Sequence, residues 1–411
     1  MSWDAERLSG GDDHRVLDLA GWVVALDALV ELISGRFRRA EPRRRVGAYL
    51  RGLLAGLERK NGWTMAEHAG AVSPDGMQRL LRTADWDIDG VRNDLRGYVL
   101  DELGDQASGV FVVDESGFIK KGVRSAGVAR QYTGTTGKID NCQIGVFLAY
   151  ASIRGRALID RELYLPTAWT EDRARCTAAG IPEEVGFATK PQLGVAMLER
   201  AHTAGVLTGW VTADEVYGQN PSFRGWLAAH QLPYVLATRN DDMLSCPDGH
   251  RRQAKTLAVL AGYSDGSAGW ERRAIGPGAH GLREYDWIAV VLDPAGLPAG
   301  WGRWLLVRRQ TEPGPGKQHR ELAFYRCAGP AATPLRELIR VAGARWAIEE
   351  CFQTTKNEAG LDQYQVRDYR AWYAHITLSM LAAAYLAATR ARTDPAAAPG
   401  EKGAMHPAST V

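Results

Sequence analysis

The chain has 411 residues, 45% hydrophobic and 24% charged, with a formal net charge of +2. That is the profile of an ordinary soluble globular protein with a large core and two or three structural units, and the overall charge does not by itself call for a nucleic-acid partner. The five cysteines (Cys142, Cys176, Cys246, Cys327, Cys351) are scattered, odd in number and never spaced C-x-x-C. This pattern argues against a disulfide framework and a structural zinc site and fits a reducing cytoplasm. No leader segment opens the chain and no run reaches about 18 apolar residues, so no membrane span is expected.

Residues 1–105 read as an all-helical unit. "LDLAGWVVALDALVELI" has helical apolar spacing, and "VGAYLRGLLAGLERK" and "GMQRLLRTADWDIDGVRNDLRGYVLDELG" follow, punctuated at Gly62 and at Ser73-Pro74. Charge is concentrated here: Arg36 to Lys60 holds nine basic and two acidic residues, with Arg43, Arg44 and Arg45 consecutive. Two readings stand, a solvated helix face or a phosphate-binding surface.

The pattern changes at residue 106. "GVFVVD", "NCQIGVFLAYAS" and "RALIDRELYLP" predict strands, "TKPQLGVAMLERAHTAG" a helix, "GWVTAD" a strand, "PSFRGWLAAHQ" a helix and "PYVLATR" a strand. The order β-β-β-α-β-α-β makes residues 106–238 an α/β unit, a mixed sheet flanked by helices. Residues 239–330, rich in Gly and Pro with strand-like runs such as "YDWIAVVLD" and "RWLLVRR", interrupt it as a β-rich insertion. Helices resume over 331–391 with "PLRELIRVAGARWAIEECFQTTKNEAG" and "YRAWYAHITLSMLAAAYLAATRAR", and residues 392–411 read as a disordered tail.

Two glycine motifs are set aside. "GPGAHG" (Gly276 to Gly281) fits G-x-G-x-x-G but is followed by a strand-like run, where a dinucleotide fingerprint needs a helix. "GTTGKI" around Lys138 has the wrong glycine spacing for a phosphate loop and lacks the hydroxyl residue after its lysine.

Asp114 and Asp214 each close a predicted strand, and strand ends in open α/β sheets are where sites gather. Either alone is compatible with a turn. Together they deliver two carboxylates to one sheet edge, where mutual repulsion favours a divalent cation; all-oxygen ligands suit Mg²⁺ or Mn²⁺ over zinc. A third acid lies in "RWAIEECFQTTK". With Glu349 set at 0° and about 100° per residue, Arg345 falls near −40° and Lys356 near −20°. Ile348, Phe352, Thr355 and Ala359 fall at about −60° to −120° and form the buried stripe, while Glu350, near 100°, is expected to face water. Arg345 and Glu349 can equally be a plain i,i+4 ion pair worth about 0.2–0.5 kcal/mol.

At these residues the chain resembles the bacterial insertion-sequence DDE transposases with an RNase H-like core. Their helix signature is Tyr, Arg three on, Glu four further and Lys seven further. Arg345, Glu349 and Lys356 match it, and Ala342 stands where the tyrosine belongs. The likeness is to the insertion-sequence seven-oh-one branch and rests on "VVDESGFIKKGVRSAGVARQYTGTTGKIDNCQIGV", "ELYLPTAWTEDRARCTAAGIP", "WVTADEVYG" and "RWAIEECFQTTKNEAGLDQYQVR". The resemblance implies that Asp114, Asp214 and Glu349 are catalytic and hold two Mg²⁺ ions, with Mn²⁺ able to substitute. Arg345 and Lys356 would contact phosphates near the cut. Lys120, Lys121, Arg124 and Arg130 would clamp the DNA backbone, and the helical unit would bind DNA. The implied partners are element terminal inverted repeats, target DNA and a second copy of the chain on paired ends, in the bacterial nucleoid. Rival readings are a domesticated, non-catalytic DNA-binding protein and a metal-dependent nuclease that cuts without joining.

Overall fold

The computed structural model describes residues 19–206, 208–263, 269–278, 281–313 and 319–393. Five helices come first: α1 (Leu19–Leu32), α2 (Ala40–Leu54), α3 (Gly62–His68), α4 (Asp75–Arg82) and α5 (Ile88–Leu103). Their starts follow local chemistry. Asn61 accepts hydrogen bonds from the backbone N–H groups of Trp63 and Thr64 in a capping box, and Asp87 accepts from Gly90 N.

Next come β1 (Val110–Ile119), β2 (Ala129–Thr133), β3 (Lys138–Ser152) and β4 (Gly155–Tyr164). Three helices follow, α6 (Thr167–Thr170), α7 (Arg173–Ala178) and α8 (Lys190–Thr203), then β5 (Trp210–Ala213), α9 (Glu215–Gly218), α10 (Pro221–Ala229) and β6 (Tyr234–Thr238). The segment expected as an insertion holds β7 (Met243–Ser245), β8 (Arg251–Gln253), α11 (Ala254–Tyr263), β9 (Glu271–Gly278), β10 (Gly281–Leu292), β11 (Trp301–Gln310) and β12 (Leu322–Pro330). The chain closes with α12 (Leu335–Ala344), α13 (Trp346–Ala359) and α14 (Tyr369–Thr393).

The large sheet has the order β2-β3-β1-β5-β6-β12-β11-β10-β9, with β4 also paired to β3. It is mixed: β1, β5 and β6 run parallel and the remaining pairs are antiparallel. The later strands do not form a separate β unit. β12 pairs directly with β6, so β9 to β12 extend the first sheet. A small second core under α11, including Leu257, Ile288, Leu305 and Val307, marks this outer part. The segment "GPGAHG" spans the junction of the antiparallel pair β9 and β10, with strand on both sides; Ala279 and His280 lie outside the described residues.

The helical unit shares one continuous core with the sheet, from Leu29, Leu50 and Val99 to Val112, Phe147 and Leu381. Polar links cross the same boundary. Asp160 on β4 is fully buried and receives Arg92 of α5 at 3.0 Å and Arg200 of α8 at 2.9 Å. Tyr49 of α2 meets Nδ1 of the buried His375 of α14 at 2.8 Å, and His375 Nε2 lies 3.0 Å from the Gly360 carbonyl. Burial pushes His375 down to about 4, so it is neutral, donating from Nε2 and accepting from the tyrosine.

Two expectations from the sequence need correction at the C-terminal end. The helix expected across residues 334–360 is interrupted at Arg345, which ends α12 and caps α13. The tail does not begin at 392, because α14 continues to Thr393; residues 394–411 lie outside the described residues. By length and composition α14 could cross a membrane, although no span was expected, but most of it is packed inside the protein. Its Ala371–Leu381 stretch is buried all round, against β4, α5 and α4, which accounts for its apolarity.

Candidate active site

β1 and β5 lie side by side in parallel register, with the last pair Val113↔Ala213. The next residue on each is Asp114 and Asp214. Here β5 ends, and Asp214 turns its carboxylate to cap α9, accepting from Val216 N at 2.9 Å. β1 does not end at Asp114, as the sequence reading expected. It runs on to Ile119 because β3 pairs with it along its whole length. The two aspartates therefore meet where one parallel strand stops and its neighbour continues.

Carboxylate oxygens of Asp114, Glu115 and Asp214 all lie within 4.8 Å of one another. Burial first, then the Asp214 and Glu115 charges, push Asp114 up to about 8. Burial and Glu115 push Asp214 up to about 6. Two aspartates that resist ionising, with a third carboxylate beside them, are a natural oxygen-donor set for a hard divalent cation, which would reverse both shifts.

Glu115 was not singled out in the sequence. Alternation along a strand turns it to the face opposite Asp114, and it does reach that face: Lys190 of α8 donates to it at 2.6 Å and Tyr217 at 3.0 Å. Its oxygens still approach the aspartates because β5 has ended. The signal available was its adjacency to Asp114 in "VVDES".

Glu349 is not a member of this close group. Arg345 stands between them, 3.9 Å from Asp114 Oδ2 and 3.5 Å from Glu349 Oε1, and Glu349 is 43% exposed. The expected buried stripe of Ile348, Phe352, Thr355 and Ala359 is present, joined by Ala347 and Cys351. Glu350, expected to face water, does so only in part, at 38% exposure. It pairs with Arg156 of β4 and lies 3.7 Å from Arg283 of β10, because those strands cover the flank of α13 that helical phase alone leaves open.

Lys356, two turns along α13 from Glu349, makes no ion pair with it. Its ammonium lies 5.8 Å from the Phe118 ring, and burial lowers its pKa against the opposing pull of Asp362. Lys120 sits 3.5 Å over the Tyr364 ring, pushed down to about 8 by burial and likewise near Asp362. Lys120, Lys121 and Arg124 line a cleft of about 1350 Å³ with Arg59, Arg82, Arg367 and Trp63. Arg130 is exposed on β2 and does not line it. The basic stretch over 36–60 is partly neutralised, since Arg36 pairs with Asp94, Arg38 with Asp85, Arg45 with Glu41 and Arg51 with Asp27. Arg43 and Arg44 are exposed and have no carboxylate partner among the described residues. Ala342 is buried in α12.

Comparison with known proteins bears on the same stretch. A family model described as "DDE superfamily endonuclease" matches residues 33–259, more than half of the chain and inclusive of Asp114 and Asp214. The chain is also similar to a curated protein of Microchaete diplosiphon named "Probable transposase for insertion sequence element IS701", with 26% identity over 324 residues, 77% of this chain and 75% of that protein.

Proposed function

The chain belongs to the DDE superfamily endonucleases, and from that premise we propose that it is a DNA transposase, cutting phosphodiester bonds at element ends and joining those ends to target DNA. The observation that carries the reading is the parallel register that sets Asp114 beside Asp214 at the end of β5. Asp114 and Asp214 would hold the divalent cation, Mg²⁺ or Mn²⁺, and Glu349 would supply the third carboxylate for a pair of ions. When bound, such ions activate water or a DNA 3′-hydroxyl and offset charge on the leaving oxygen.

Arg345 has the position to seat the scissile phosphate. Its guanidinium already faces two anions, Asp114 and Glu349, and a DNA phosphate is a third. A phosphate held there lies between the first and third carboxylates. Lys120, Lys121 and Arg124 would grip the backbone further along the cleft, joined from the helical unit by Arg59, Arg43, Arg44 and Arg45. Arg130 and Lys356 complete the proposed DNA contacts. Terminal inverted repeats as the recognised ends, and a homodimer holding two of them, belong to the same proposal.

Glu115 offers a second reading of the third carboxylate, because it is already in the close group. Its engagement by Lys190 and Tyr217 favours a different task, fixing the local charge balance behind Asp214.

The test incubates the protein and Mg²⁺ with DNA carrying a candidate element end and a target plasmid. Joined products are the expected result. Cleavage without joining would make it a nuclease, and a gel shift without cleavage a binding protein; either would overturn the proposal.

A further inference from the structure

On the sheet face opposite Arg345 lies a second cationic site. Val113, Ala213, Leu236 and Arg326 form one cross-strand row. Side chains of that row face α8 to α10: a Cβ on Gly194 would touch Val113 and Tyr217, and one on Gly218 would touch Leu236. Arg326 therefore points away from Asp114, whose row is the next one along. Arg303 follows on β11, two residues from Leu305, the register partner of Arg326, and so shares its face. Arg224 enters from α10.

These three arginines and Tyr234 line a cavity of about 250 Å³ between α10 and the outer strands, closed by Gly225, Leu292 and Leu297. That is room for a phosphate and several waters, a water's share being about 30 Å³. The charge inside is one-sided. Among the described residues Asp242 is the one acid engaged, taken in bidentate fashion by Arg326 and also bonded by Thr238. Arg224 donates to the Gly218 carbonyl, and Arg303 to the carbonyls of Asp293 and Ala295. Neither has a carboxylate partner among the described residues. Burial, with the like charges of Arg326 and Arg303, opposes the charge on Arg224. Guanidiniums cannot escape by losing a proton, so a site built this way lacks an anion. Backbone carbonyls hold two of the forks in place, which preorganises them for an oxyanion.

We propose that Arg224, Arg303 and Arg326 form a phosphate-binding pocket at the seam between the first sheet strands and the outer strands, separate from the carboxylate cluster. Its ligand is a phosphate group, either on a DNA backbone or on a free small molecule. A phosphate seated there would tie α10 to β11 and β12.

The test is calorimetric titration of the whole protein with inorganic phosphate, in EDTA and at constant ionic strength. One saturable site is expected. Arg224→Gln and Arg303→Gln should each weaken it about tenfold or more, the scale of one charge-assisted contact. Arg390→Gln, an exposed arginine in the last turn of α14, should leave it unchanged. Two separate substitutions guard against one that misfolds, and each variant's melting curve reports that directly. Repeating the titration with a saturating short duplex separates the sources: loss of the phosphate site assigns it to DNA backbone, and persistence to a free phosphate compound. No saturable binding by the parent, or equal binding by parent and both pocket variants, would overturn the proposal. Neither result depends on whether the protein joins DNA.

Discussion

Replacing Asp114 with Asn should stabilise the metal-free protein at neutral and alkaline pH. The carboxyl is only 14% exposed and titrates at about 8 in place of the ordinary 3.8, through burial and then the charges of Asp214 and Glu115. Because the folded value is raised, the folded state binds the proton more tightly than the unfolded chain. The associated stability is fully present below the unfolded value near 4 and is lost as pH rises through 8. At about 1.4 kcal/mol per pKa unit, holding this group folded costs about 4 kcal/mol at pH 7. An asparagine carries no charge but brings a buried amide, whose imperfect bonding costs about 1–3 kcal/mol. The net gain expected is about 1–3 kcal/mol at pH 7, larger at pH 8 and smaller at pH 5. The assay is thermal unfolding at pH 5 and pH 8, in EDTA and in Mg²⁺ or Mn²⁺. In EDTA at pH 8 the variant should melt above the parent, and the cation should raise the parent far more than the variant. A variant that melts lower at pH 8, or a cation effect equal in both proteins, would refute the reasoning.

Other substitutions separate the acids around α13 and the supports of the fold. Glu349→Gln should abolish DNA cleavage, while Glu350→Gln should keep most activity and cost at most about 1 kcal/mol, as expected for a half-exposed ion pair; cleavage assays and melting curves on the two variants decide this, and the reverse pattern would move the third carboxylate. Asp160→Ala leaves the buried Arg92 without its anion, while the partly exposed Arg200 keeps Glu162, and should cost about 3–5 kcal/mol, read as a large drop in denaturation midpoint. DNA affinity should fall steeply with salt as phosphate contacts release counterions, and Arg43→Gln with Arg44→Gln should flatten that slope; an unchanged slope would remove these two arginines from the interface.

Much of the site was legible because strand-type runs are local signals. "GVFVVD" and "GWVTAD" place Asp114 and Asp214 on neighbouring edges, and the parallel pairing of β1 with β5 sets them together. What was not legible depended on partners distant in sequence. β1 continues past Asp114 through "ESGFI", a stretch of weak strand propensity, because β3 pairs with it. Glu350 looks solvent-facing from helical phase, yet Arg156 and Arg283 arrive from two separate strands. The β-rich segment was recognisable by composition, but its fusion to β6 through β12 is a long-range pairing that no local pattern announces. The break at Arg345 has only Gly343, two residues earlier inside α12, to hint at it, and an isolated glycine in a helical pattern is a weak signal.

The central claim is that Asp114 and Asp214 together bind the cation that drives DNA cleavage. Its most direct test is cleavage of element-end DNA by Asp214→Asn at protein concentrations that saturate the DNA, in Mg²⁺ and in Mn²⁺. The account predicts unaltered DNA binding with no cut product in either metal. Cleavage by this variant at a rate near the parent's would contradict it.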